Sequence, residues 1–165
     1  MNNYKLIILD FDGTLCATHE AILYCVKRTY KTLNMTVPAH DFIDETIRAG
    51  LGMEKTLLAL SPELTEQQIQ PILDQYEKIY LSEGEQKSAP YSKAGEVLAK
   101  LHAAGYKLAV VSNKAVAAVN TALERFQLKQ YITAVVGDTK TLRKKPDPMA
   151  YTDFIQPKFK EIDPK

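Results

Sequence analysis

The stretch Leu6-Ile7-Ile8-Leu9-Asp10-Phe11-Asp12-Gly13-Thr14-Leu15 decides how this chain is read. Four successive apolar residues fit a parallel strand covered on both faces better than a half-exposed one, which would alternate. Two carboxylates then follow, two residues apart, where the chain leaves the strand. Residues two apart in a strand face the same side, so Asp10 and Asp12 can reach one pocket. A carboxylate so placed can attack phosphorus and form an acyl phosphate. The second can give a proton to the leaving oxygen and later activate water. Both are hard oxygen donors suited to Mg2+, and Gly13 lets the backbone turn close to a ligand. The bland alternative, a polar strand end and a turn, suits a bare Asp-x-Asp better than Asp-x-Asp-Gly-Thr after an apolar run.

Two further apolar runs read as buried strands, Leu108-Ala109-Val110-Val111 and Ile132-Thr133-Ala134-Val135-Val136. Between them Val116, Val119, Leu123 and Phe126 recur at helical steps of three and four, which makes a βαβ unit. Ahead of it the pattern predicts another helix. Ser92 is its expected N-cap, Val97, Leu98 and Leu101 its apolar face, and Gly105 its C-terminal stop. A last helix is expected from Met149 to about Gln156.

Between Leu15 and Pro90 no strand stands out. Ile22, Cys25, Val26 and Leu33 give one amphipathic face. Short helices are expected over Asp41 to Ala49 and Met53 to Leu60. A fourth starts after Thr65, where Thr65 and Gln68 fit a capping box. Its face is Ile69, Ile72, Leu73, Tyr76 and Ile79, with Pro71 placed to kink it or delay its start. The expected class is α/β: a Rossmann-like parallel sheet core of three strands (residues 1–15 and 90–165) with an inserted four-helix cap (residues 16–89). Ligands of open α/β sheets bind at the carboxyl ends of the strands. The insert leaves strand one at that edge and is expected to lie over the site as a lid.

Composition narrows the function classes. The chain has 165 residues, 45% hydrophobic and 25% charged, which is ordinary for a globular protein. Lysine and arginine number 21 against 20 acidic residues, so no excess of charge argues for nucleic acid or an anionic membrane. No apolar run approaches the ~18 residues of a membrane span. Asp10 ends the first apolar run too early for a secretory signal, so a cytoplasmic location is expected. Cys16 and Cys25 make neither a disulfide framework nor a zinc site, and read as small apolar residues. His19, His40 and His102 have no ligand-like spacing.

These motifs, in this order, resemble the haloacid dehalogenase-like superfamily, over nearly the whole chain. Residues 9–15 are similar to its first motif. Val111-Ser112-Asn113-Lys114 is similar to the second and Lys144-Lys145-Pro146-Asp147-Pro148 to the third. The resemblance implies Asp10 as nucleophile and Asp12 as general acid and base. It implies Ser112 and Asn113, with Gly13 and Thr14, at the phosphoryl group, and Lys145 as the cation that offsets charge. Mg2+ would be held by Asp10 and the backbone carbonyl of Asp12. Dehalogenases of the superfamily lack an acid at the second position, so Asp12 points to a phosphatase of a small phosphorylated metabolite. The combination with Val136-Gly137-Asp138 looks most like phosphoglycolate phosphatases. The cap loop Arg48-Ala49-Gly50-Leu51-Gly52-Met53 is then the expected specificity segment. In it Arg48, flanked by Gly50 and Gly52, is available to an anionic group; an exposed helical arginine is the equal alternative.

The family's fourth motif, an apolar strand followed by Gly-Asp and another acid, is missing. Val135-Val136-Gly137-Asp138 resembles it but precedes Lys145, so Asp138 is not expected to ligate metal. Phe159-Lys160-Glu161-Ile162-Asp163-Pro164-Lys165 is expected to lie just before that motif. Asp147, Asp153 and Asp163 stand in no context that replaces its acids. Strand one is therefore expected at a sheet edge, an apolar pairing hazard beside an apolar patch. It would be covered by self-association, a complementing segment, or the cap folding back. Two other readings remain at this stage: an impaired protein or fragment lacking the metal acids, and a phosphosugar mutase.

Overall fold

The computed structural model describes residues 5–139 and 141–162. The expectations for the first four residues and for Asp163-Pro164-Lys165 fall outside them. In chain order the main elements are β1 (Leu6–Leu9), β2 (Cys16–Ala17), α1 (His19–Thr32), α2 (His40–Arg48), α3 (Met53–Leu60), α4 (Glu66–Ile79), β3 (Ala89–Pro90), α5 (Ala94–Ala103), β4 (Lys107–Ala115), α6 (Val116–Arg125) and β5 (Ala134–Asp138). The chain divides into two compact units, one of residues 1–16 with 90–165, the other of residues 17–89. The two-residue strands β2 and β3 pair with each other. Both passages of the chain from one unit to the other fall inside them.

The first unit is built on a parallel sheet in the order β1-β4-β5. β4 is central, which explains its unbroken apolar run: Leu108, Ala109 and Val110 have no exposed surface. The side chains of β4 alternate between two faces, as a pleated strand requires. Leu108 and Val110 pack with Phe11, Leu98, Val119 and Leu123. Ala109 and Val111 pack with Ala134, Val136, Ile155 and Phe159.

β1 has one ladder partner among the described residues. The amide of Lys107 donates to the carbonyl of Lys5 at 2.8 Å, so residues 5, 7 and 9 turn their polar groups toward β4. Leu6, Ile8 and Asp10 turn theirs the other way, and Ile8 is 42% exposed. Among the described residues β1 stands at the edge of the sheet.

Several boundaries differ from the sequence reading. Ile132 and Thr133 precede β5, which starts at Ala134 and runs on to Asp138. β4 continues past Val111 to Ala115. The N-cap of α5 is Lys93 in a left-handed conformation (φ 68), not Ser92. Only Leu98 on that helix is fully buried, and Val97, about 100° around the axis, is 51% exposed. The expected last helix is instead a wide π turn (Ala150–Ile155) followed by a 3-10 turn (Gln156–Phe159). Pro157 stands at the start of the 3-10 turn, where its missing N–H leaves no regular bond to the carbonyl four residues back.

The helical unit packs α1 to α4 around one core, with Tyr30, Ile43, Leu57 and Ile69 almost wholly enclosed. The Tyr30 hydroxyl is buried and satisfied by Ser61 Oγ at 2.7 Å, as an enclosed phenol requires. At the start of α4, Gln68 Oε1 accepts from the Thr65 amide at 2.9 Å and from its hydroxyl at 2.9 Å. The helix starts on time and runs through Pro71. Leu33, expected on the buried face of α1, is the C-cap residue and 36% exposed. No helix among the described residues is long and apolar enough to cross a membrane.

Candidate active site

The carboxyl ends of β1 and β4 bring the sequence-predicted residues of the first unit together. After β1 the chain wraps around the carbonyl of Phe11, which accepts from the amides of Thr14 (3.3 Å), Leu15 (3.0 Å) and Cys16 (3.1 Å). Phe11 is 1% exposed and anchors this loop in the core. Gly13 supplies the one left-handed residue the turn requires (φ 76), a conformation an L side chain resists. Its amide donates to Cys16 O at 2.9 Å. The Gly13 and Thr14 amides thus both bond inside the loop.

Lys145 Nζ donates to Asp10 Oδ1 at 2.7 Å and to the carbonyl of Val111 at 2.9 Å. The residues are 135 apart in the chain, so the fold alone makes the pair. Asp10 Oδ2 has no protein partner among the described residues. Lys114 Nζ lies 3.4 Å from Asp12 Oδ1. Lys114 had no assigned role in the sequence reading, although its place two residues beyond Ser112, where β4 ends, was a usable signal. Two lysines from two different motifs therefore each face one of the two carboxylates, where charge-assisted contacts are strong.

Ser112 is buried, and its Oγ accepts from the Lys114 amide at 3.1 Å, which leaves the hydroxyl proton to donate. Asn113 is turned to the main chain of Lys145. Its Oδ1 accepts from the Lys145 amide at 2.8 Å and its Nδ2 donates to the Lys145 carbonyl at 3.2 Å. A cleft of about 300 Å³ beside these groups is lined by Asp10, Val111, Lys145, Asp147, Pro148 and Tyr151, among others.

Two further carboxylates, one of them in the lining of the cleft, are engaged in local contacts. Asp138 at the end of β5 meets Lys144 Nζ at 3.0 Å. Asp147 Oδ1 accepts from the Met149 amide at 2.9 Å, and Arg143 lies 3.4 Å from its other oxygen. Burial, with the Asp12 charge beside it, pushes the Cys16 thiol up to about 12 despite Lys114, so it stays a neutral thiol.

Within the helical unit, Asp44 gathers Arg48 and His19. It accepts from Arg48 Nε at 2.7 Å and from Arg48 Nη2 at 3.3 Å, and meets His19 Nε2 at 2.5 Å. The Arg48 hydrogen bonds, then that of His19, pull the Asp44 carboxyl down to about 2. Arg48 is exposed but half spent on this contact. Gly50 and Gly52 beyond it are both left-handed (φ 65 and 83), and Gly52 caps α3.

Asp10 and the main-chain carbonyl of Asp12 are oxygen donors of the kind Mg2+ takes together with waters and a substrate phosphate. Among the described residues no cluster of three or more His, Cys, Asp and Glu stands ready for a metal.

A family model for haloacid dehalogenase-like hydrolases matches residues 7–161. The chain belongs to that family. It is 26% identical over 161 residues to the phosphoglycolate phosphatase of Vibrio cholerae, covering 94% of this chain and 71% of that one. It is 31% identical over 154 residues to the phosphoglycolate phosphatase of Psychrobacter arcticus, covering 87% and 65%. The crystal structure of a protein described as a predicted phosphoglycolate phosphatase from Haemophilus somnus superposes with a TM-score of 0.82 at 25% identity, over 97% of this chain and 73% of that one. The chain thus spans about two thirds of the length of these relatives. This haloacid dehalogenase-like hydrolase is phosphatase-like in sequence, and its sheet with a helical insertion is the family's fold.

Proposed function

We propose that the protein hydrolyses a small phosphomonoester of the phosphoglycolate kind through a phosphorylated Asp10. The observation that carries this reading is the Lys145–Asp10 contact at 2.7 Å, with Asp12 two residues on and facing Lys114. Asp10 Oδ2 attacks phosphorus while Asp12 gives its proton to the departing alkoxide. Asp12 then takes a proton from water, which attacks the acyl phosphate, releasing inorganic phosphate and restoring Asp10. Lys145 and the Ser112 hydroxyl stabilise the charge on the phosphoryl oxygens. Mg2+, held by Asp10 and the Asp12 carbonyl, supplies further neutralisation of that charge when bound. The loop from Arg48 to Gly52 is the segment we assign to substrate selection, with Arg48, oriented by Asp44, recognising a carboxylate or second anionic group.

The test is phosphate release from 2-phosphoglycolate and from p-nitrophenyl phosphate, with Mg2+ and with a chelator. Turnover of both that needs Mg2+ and disappears in Asp10→Asn supports the reading. Turnover that survives Asp10→Asn excludes an aspartyl-phosphate route.

A further inference from the structure

We propose that Asn113 is a positioning residue for Lys145, not a ligand of the phosphoryl group, and that Gly137 sets the bulge that lets it reach. β4 and β5 pair residue for residue from Ala109–Ala134 to Val111–Val136. The next pair is Ala115–Asp138, so four steps on β4 oppose two on β5. Ser112, Asn113 and Lys114 are the residues thrown out of the ladder by that mismatch, as residues in a β-bulge are. Gly137 sits opposite them. A Cβ there would stand 2.7 Å from the carbonyl oxygen of Lys114, 2.7 Å from Val116 Cα and 2.8 Å from Val116 N. These are backbone atoms and cannot swing aside, so the bulge closes onto β5 only where position 137 has no side chain.

From that bulge the Asn113 amide reads the main chain of Lys145 on both sides, accepting from its N–H and donating to its carbonyl. Two hydrogen bonds in one plane fix the Lys145 backbone in position and in rotation. The Lys145 side chain then bridges Val111 O and Asp10 Oδ1. One continuous path runs from Gly137 through the bulge to Asn113, to Lys145 and to the nucleophile. Both of these side-chain bonds of Asn113 face Lys145 main chain. Its kinetic consequence rests on the phosphatase reading, whereas its structural consequence does not.

Amide hydrogen exchange on the full chain reads the clamp without any turnover. In Asn113→Ala the Lys145 amide should exchange at least about tenfold faster while the Val110 and Val111 amides keep their protection. Asn113→Asp keeps the acceptor for that amide and should keep most of its protection, which covers the case of an alanine variant that does not fold. Gly137→Ala, whose Cβ would press first on the Lys114 and Val116 backbone, should also deprotect Lys145. On p-nitrophenyl phosphate, Asn113→Ala should cost kcat about as much as Lys145→Ala. Adding Asn113→Ala to Lys145→Ala should then cost nothing more. An unchanged Lys145 amide in Asn113→Ala overturns the proposal. So does a further loss in the double variant, which would place Asn113 on the phosphoryl group itself. A wild-type chain without turnover defeats the phosphatase reading alone, and the exchange result still decides this one.

Discussion

The two units use their charges in opposite ways. In the α/β unit the contacts that matter join residues far apart in the chain: Lys145 to Asp10 across 135 positions and Lys114 to Asp12 across 102. In the helical unit Asp44 and Arg48 are four apart on one helix, and His19 reaches them across 25. The first kind of contact exists only once the sheet has formed, and it gathers reactive groups at a strand end. The second kind is partly built into one helix surface, with His19 of the neighbouring helix joining it. The α/β unit therefore holds the residues proposed for the chemistry, while the helical unit holds the loop proposed for recognition.

Substitutions can break this division. The largest effect is expected from Asp10→Asn, which should reduce phosphate release to background while the thermal midpoint changes little, because Asp10 is not a core residue. Asp12→Asn should cost about 10²–10⁴-fold on an alkyl phosphate. It should cost much less on p-nitrophenyl phosphate, whose leaving group needs no proton. Equal losses on both would remove Asp12 from the acid role. Lys145→Ala should lower kcat about 10²–10³-fold, the usual worth of one preorganised charge stabiliser.

In the helical unit, Leu57→Ala opens a cavity in an enclosed core and should cost about 2–5 kcal/mol by denaturant titration. Similar unfolding midpoints for the variant and the wild type would mean that this core is looser than its burial implies. The smallest effect concerns Asp44. Its carboxyl titrates near 2 when folded, below its ordinary value of 3.8. Its contribution to stability is therefore complete above about pH 4 and is lost as the pH falls toward 2. Circular dichroism melts should show a larger drop between pH 4 and pH 2 for the wild type than for Asp44→Asn. Parallel drops would show that the contact contributes nothing, as many exposed ion pairs do.

Much of the fold could be read from local signals because those signals are local in origin. The buried strands carry unbroken apolar runs, and the capping pair Thr65 and Gln68 is separated by three residues. The first-motif acids sit where an apolar run ends. What escaped depends on partners distant in sequence. The bulge at Ser112–Lys114 comes from its register against β5 and from the missing Cβ of Gly137. Asn113 gave no sign that it would face the backbone of a residue 32 positions away. Val97 fits an apolar helix face, but the sheet meets α5 through Leu98, and a pattern of three and four cannot say which edge of the stripe stays wet. The last helix is expected from Met149 to about Gln156, but the chain forms a π turn and then a 3-10 turn there, and nothing in the apolar spacing distinguishes those from a regular helix.

The pairing of β2 with β3 has an evolutionary consequence. The helical segment begins and ends on neighbouring strands, so its two ends are already together. It can be cut out, lengthened or exchanged with hardly any change in the loop entropy that closes it, while the register of β1, β4 and β5 stays as it is. A fold built this way can change what it recognises by trading one continuous stretch of gene, leaving the residues proposed to do the chemistry on either side untouched.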